Sequence, residues 1–244
     1  MGHHSVTTTA AAARFVATHS VLTLDARHPY AAKSLIDAHD MHRTVMSGFR
    51  GWAEDGDADA RAQMGVLSTW SVDLKAGALV LVVQSQVPGD WTNIPRSALT
   101  DKPRIITVDR TLRTGDTLTF RTVVNPTYSR PTGLPTAERG RGRRAAHTRP
   151  DHVKKWFARR LQPESQSRTA PDGVVRIGAT ADPANLNIRM LPTVSSPGPH
   201  QGLRIARAEI RGVLTVTDPA ALVDAMTRGI GHARAYGCGL LLTR

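Results

Sequence analysis

The stretch "HDMHR" brings His39, His42 and Arg43 close together in sequence. Residues three or four apart share a helix face, so His39 and His42 can converge there, with Arg43 four residues on from His39. Two imidazoles can act as base and acid near neutral pH, and an arginine can bind the phosphate between them. The same spacing also suits a pair of surface histidines on an amphipathic helix. Histidines at this spacing can share zinc, but no third cysteine or obvious acidic ligand completes a site, so no metal is expected. The second group closes the chain, in "GIGHARAYGCGLLLTR". Gly229, Gly231, Gly237 and Gly239 surround His232, Arg234 and Tyr236. Glycines let a backbone approach a ligand closely and present N–H groups to an anion. Gly229 alone would serve as a helix C-cap, but three further glycines exceed that need. A Walker lysine–serine pair is absent, which argues against a nucleotide P-loop.

A third group is basic. Arg139, Arg141, Arg143, Arg144 and Arg149 run into Lys154, Lys155, Arg159 and Arg160, with only Asp151 opposing them after Glu138. Such a run is either a disordered tail or a contact for a polyanion. Across all 244 residues, 32 Lys and Arg oppose 20 Asp and Glu, a formal net charge of +12. That surplus points to a nucleic acid, with a solvated basic surface as the plain alternative. No apolar stretch approaches the roughly 20 residues of a membrane span. The opening "MGHHSVTTTAAAAR" lacks the apolar core of a signal peptide and reads as a flexible leader, so a cytoplasmic protein is expected. The single cysteine, Cys238, excludes an internal disulfide and reads as a small core residue.

These groups need elements to position them. Residues 15–26 suit a strand, and Leu35, Ala38, Met41 or His42, Val45 and Phe49 recur at helical spacing after it. "VLSTWSVDL" and "ALVLVVQSQ" form a hairpin candidate whose second strand reads as buried on both faces. "RIITVDRTL" and "DTLTFRTVV" bracket a turn at Arg113–Gly115. Beyond the Pro-, Gly- and Arg-rich stretch, "PDHVKKWFARRL" reads as a basic helix with Val153, Trp156, Phe157 and Leu161 on one side. Further strands follow, then a helix capped by Asp218-Pro219 and ended by Gly229, then "CGLLLTR" as a last short strand. The expected class is α+β, with two tandem ferredoxin-like modules, each an antiparallel sheet with helices on one face. The expected division is a leader over 1–14, an N-terminal domain over 15–128, a basic linker over 129–148 and a C-terminal domain over 149–244.

"HDMHRTVMSGF", "RRAAH", "GVLTVTDPAALVDAMTRGIG" and "GIGHARAYGCGLL" together resemble the CRISPR RNA-processing endoribonuclease of the type I-E (Cascade) system. The similarity runs from about residue 20 to the C-terminus, and the glycine loop is its most specific piece. It implies two ferredoxin-like domains and metal-independent, cofactor-free cleavage within CRISPR repeat stem-loop RNA. The implied chemistry is attack by a ribose 2′-hydroxyl, leaving a 2′,3′-cyclic phosphate and a 5′-hydroxyl. His42 is the catalytic histidine under this resemblance, and His39 stands where the family usually carries a tyrosine. Arg43 and the glycine loop could supply charge stabilisation. Arg189, Arg204 and Arg207 flank "PTVSSPGPHQG", a hairpin that the resemblance places against the RNA stem. The implied partners are the repeat RNA and the other subunits of the Cascade surveillance complex. A non-catalytic RNA-binding subunit is the alternative, because related modules keep the glycine loop without cutting.

Overall fold

The computed structural model describes residues 11–52, 59–129, 144–161, 174–197 and 202–244. The first domain runs β1 (Ala12–Asp25), α1 (Pro29–Ile36), α2 (Ala38–Met46), α3 (Ala60–Gln63), β2 (Leu67–Asp73), β3 (Ala78–Ser85) and β4 (Arg104–Arg113). Its sheet has the order β2-β3-β1-β4 with every neighbouring pair antiparallel, the ferredoxin-like arrangement without a second helix. Leu22 and Leu24 of β1 and Leu79, Leu81 and Val83 of β3 bury one face of the sheet with Met41, Val45 and Phe49. Val80 and Val82 stay half-buried, so β3 is fully covered on one face only.

Two features depart from the expected reading here. Strand β1 begins at Ala12, and Arg14 pairs with Asp109 of β4 at 2.6 Å, so the sheet reaches into the stretch set aside as a leader. The single expected helix is two. Asp37 takes extended backbone (φ −118°, ψ 120°), and its carboxylate accepts the His39 N–H at 2.8 Å. An aspartate that can cap a new helix has interrupted an otherwise continuous apolar pattern. Helix α2 turns Met41 and Val45 into the core, and His39 and His42 lie about 60° apart around its axis, away from that face.

The second domain comprises β5 (Thr117–Val124), β6 (Thr127–Ser129), β7 (Arg144–Ala146), α4 (Pro150–Ala158), β8 (Ala179–Thr180), β9 (Asn187–Ser195), β10 (Arg204–Val216), α5 (Pro219–Arg228) and β11 (Leu241–Thr243). Its sheet is β11-β5-β10-β8, with β9 on the same edge of β10 as β8. This too is ferredoxin-like, with the second strand split in two.

The division at 128 is therefore corrected. Strand β4 pairs with β1, whereas β5 pairs with β10 and β11, so the sheets part at the Gly115 turn. Leu118, Phe120 and Val124 of β5 pack with Phe157, Ile210 and Leu222, and that tertiary core decides which sheet the strand joins. The basic stretch does not link the domains either. Ser129 pairs with Arg144 and Thr127 with Ala146, so both flanks of the basic stretch belong to the second domain. Arg139, Arg141 and Arg143 lie outside the described residues. Phe15, Ala17 and Leu112 of the first sheet join the second domain's core, and Gln84 Nε2 donates to the Met226 carbonyl at 2.8 Å. The two modules form one body.

The glycine-rich terminal loop is clamped between them. Its neck is closed by the Ile230 N–H donating to the Gly239 carbonyl at 2.9 Å, and the Gly239 N–H donates to Val123. Gly229, Gly231, Gly237 and Gly239 all have positive φ, and Ala233 is left-handed as well. A Cβ at Gly231 would lie 3.1 Å from the Trp156 ring, and one at Gly237 would lie 2.9 Å from Trp70 Nε1. These glycines permit close approach of backbone to indole, so their side-chain positions face protein and not a ligand. Gly237→Val should combine a left-handed β-branched residue, costing roughly 1–2 kcal/mol, with a clash against Trp70. The expected fall in Tm is roughly 2–8 °C in a chain of this size. A calorimetric Tm equal to wild type would contradict this packing role.

Candidate active site

The two sequence motifs meet. The turn Arg234–Tyr236 of the terminal loop lies against α2, and Tyr236 reaches both histidines. Its ring centroid is 5.4 Å from that of His39, edge-on, and 6.1 Å from that of His42. Its Oη lies 3.4 Å from His39 Nδ1, across 197 positions of sequence. In the sequence Tyr236 stands only as one residue of the loop, with no role of its own. A phenol between conformationally demanding glycines was the available signal.

The environment sets the charge states. His42 is half-buried, and its Nδ1 is enclosed without a hydrogen-bond partner. Burial first, then the Arg61 guanidinium, lower its pKa, with His39 and Arg43 adding to the effect; the Ala235 backbone works the other way. The net direction is down, so the imidazole is neutral and basic at pH 7. Burial and the Asp37 carboxylate push the Tyr236 phenol up, which keeps it protonated. Arg61 enters from α3, donating to the Val66 carbonyl at 2.7 Å; burial and then Arg234 lower its pKa. Arg234 itself donates to the Arg228 carbonyl at 2.8 Å. Arg43 forms an ion pair with Asp40, a carboxylate it shares with Lys33 at 3.4 Å. The result is a neutral base, a histidine in contact with a phenol, and surrounding cations, a setting that favours an anion.

The remaining candidates fall on several surfaces. Helix α4 buries Val153, Trp156 and Phe157 and leaves Lys155 exposed and Lys154 half-exposed. Arg160 stacks over Trp156 at 3.4 Å. His232, exposed at its rim, sits near Arg144, Arg234 and Arg160; partial desolvation of the ring and then these three guanidiniums lower its pKa. Arg204 is exposed at the start of β10, and Arg189 on β9 pairs with Glu209 at 3.2 Å.

Arg207 is corrected. It is 3% exposed, lies over the Trp70 ring at 3.9 Å and donates from Nε to the Pro192 carbonyl at 3.3 Å. Alternation along β10 turns it into the junction between domains, so it cannot bind RNA in this fold. Cys238 is fully enclosed, as a core residue should be, and burial pushes its thiol up to about 12. Among the described residues no group of three or more His, Cys, Asp or Glu side chains is placed to hold a metal ion.

The fold is shared with solved structures. Thermus thermophilus Cse3, bound to an RNA representing a pre-cleavage complex, matches with a TM-score of 0.68 at 21% identity, over 94% of this chain and 99% of that one. Cas6e from Escherichia coli str. K-12 matches at 0.61 with 20% identity, over 93% and 98%. A chain of a CRISPR RNA-guided surveillance complex matches at 0.54 with 19% identity, over 93% and 98%. No curated protein matches the chain. A family model described as CRISPR associated protein matches residues 19–244, a span that takes in α2, the second sheet, most of the first and the terminal loop. This protein belongs to that CRISPR associated protein family.

Proposed function

We propose that this protein is an endoribonuclease that binds CRISPR repeat stem-loop RNA and cleaves it without a metal ion. The observation that carries this is the meeting of His39, His42 and Tyr236 beside several arginines, where α2 and the terminal loop touch. The solved relatives support it, since one is described as a CRISPR endoribonuclease bound to a 19-nucleotide RNA. In the proposed reaction the ribose 2′-oxygen bonds to the adjacent phosphorus as the bond from phosphorus to the 5′-oxygen breaks. Neutral His42 takes the 2′-hydroxyl proton. His39, its Nδ1 held 3.4 Å from the Tyr236 oxygen, is assigned the delivery of a proton from Nε2 to the departing 5′-oxygen. The products are a 2′,3′-cyclic phosphate and a 5′-hydroxyl, and solvent resets the two imidazoles. Arg43, Arg61 and Arg234 offset the charge that develops at phosphorus.

Arg144, Lys154, Lys155, His232 and Arg204 are assigned to the RNA stem in this reading, together with Arg139, Arg141 and Arg143. A-form helices are recognised mainly through shape and backbone, which suits these cations. The product stays bound as part of a Cascade surveillance complex in the cytoplasm.

His42→Ala should lower the cleavage rate of repeat RNA in EDTA by at least about 10²–10⁴-fold while leaving affinity nearly unchanged. Cleavage at the wild-type rate would remove His42 from the mechanism. The pH dependence follows from the same environment. A base is active when deprotonated, and His42 lies below the ordinary histidine value of about 6.5. The rate should therefore be lost as pH falls through a midpoint below 6.5, and Arg61→Ala should move that midpoint upward. A midpoint above 6.5 in the wild type, or one unmoved by Arg61→Ala, would contradict this assignment of the base.

A further inference from the structure

We infer that the open face of the second sheet holds a phosphate-binding track for single-stranded RNA, built from Arg121, Arg189 and Arg211 around buried Glu209. This rests on the proposed function and adds a second RNA contact to it. Glu209 is 3% exposed, in the middle of β10 between β5 and β9. Arg121 Nε donates to its Oε1 at 2.5 Å, Arg211 grips both oxygens at 3.1 Å, and Arg189 reaches Oε2 at 3.2 Å. Burial opposes the charge on Glu209, but the hydrogen bonds from Arg121 and Arg211 outweigh it and hold the carboxyl below its usual range.

One arginine would suffice to offset one carboxylate. Three guanidiniums leave a surplus of two positive charges, held in fixed orientation by the buried anchor. The side chains of Arg189 and Arg211 remain 61% and 54% exposed, so their outer N–H groups face solvent. This is the arrangement of a preorganised anion site, and phosphodiesters are the anions this reading brings to the protein.

Position selects a single strand over the stem. Arg207, Glu209 and Arg211 alternate onto the same face of β10, as do Arg121 and Val123 on β5. Val123 packs with Cys238 and Tyr236 at the active site. One step of two residues along a strand is about 7 Å, so the arginines begin one or two such steps from the Tyr236 loop. Basic helix α4 packs on the opposite face of the sheet, through Val153, Trp156 and Phe157. A stem docked along α4 leaves the open face to the unpaired strand that continues past the cleavage site. Exposed Val213 lies on the same face, and contact through guanidiniums suits the RNA backbone without a strong base preference.

The test compares two RNAs, the bare repeat stem-loop and the same stem-loop with its single-stranded repeat flank, each with a 2′-deoxy nucleotide just before the cleaved phosphate so that it stays intact during binding. Binding is measured against wild type, Arg189→Ala, Arg211→Ala and Glu209→Gln across a salt series. Each arginine variant leaves Glu209 paired with two others, and thermal melts establish that the fold is kept. Both arginine variants should bind the flanked RNA several-fold more weakly, with a log–log salt slope shallower by about 0.7 per lost phosphate contact. Arg211→Ala, which no part of the stem contact includes, should bind the bare stem-loop as wild type does. Glu209→Gln should bind the flanked RNA at least as tightly as wild type, with a steeper slope. Arginine variants that match wild type on the flanked RNA, or an Arg211→Ala variant that weakens both RNAs equally, overturn the track alone if the wild type binds them and cuts the all-ribose RNA. A wild type that binds neither RNA overturns the track and the proposed function together.

Discussion

The docking of the terminal loop onto the first domain is the contact on which the site depends. Residues 229–239 must leave α5, lie flat against β2 and α4, present Tyr236 to α2 and return to β11. That route uses five left-handed or otherwise positive-φ positions and a backbone bond between Ile230 and Gly239 that closes its neck. Trp70 and Trp156 fill the spaces where side chains at Gly237 and Gly231 would otherwise project. Arg207 stacks on Trp70 from the far strand, so a buried cation, an indole and a glycine set the spacing between domains. Loosening any of them would move Tyr236 relative to His39 and His42. General acid–base chemistry depends on positioning at this scale.

The charge pattern follows from the same geometry. In the proposed mechanism His42 acts as a neutral base; burial lowers its pKa first, and the Arg61 and Arg43 guanidiniums help by disfavouring a further positive charge. The same arginines raise the local affinity for phosphate, so one set of cations serves binding and the tuning of the base. Glu209 shows the complementary device, a buried anion that collects arginines instead of cancelling them.

Much of this was legible in the sequence. Alternation and apolar runs reveal the strands, and the spacing of Met41 and Val45 reveals the face of α2 that turns inward. The glycine pattern marks the loop and the "HDMHR" stretch marks the histidines. What was not legible depended on tertiary choice. Strand β5 has alternation that either sheet could use, and packing against Phe157 and Leu222 assigns it to the second. Arg207 has the same local pattern as Arg189, yet one is buried under Trp70 and the other faces solvent. Asp37 lies within a helical apolar pattern, and its capping bond to the His39 N–H splits the helix. Tyr236 acquires meaning only through its contact with residues 197 and 194 positions earlier.

The central claim is that this chain cuts RNA through the substrate's own 2′-hydroxyl. Its most direct test is to incubate the wild-type protein in EDTA with two repeat RNAs, one all-ribose and one with a single 2′-deoxy nucleotide just before the cleaved phosphate, and to identify the ends formed. The account predicts equal binding, a 2′,3′-cyclic phosphate and a 5′-hydroxyl from the first RNA, and no cut at that phosphate in the second. Cleavage of the deoxy-substituted RNA at the same phosphate would contradict it.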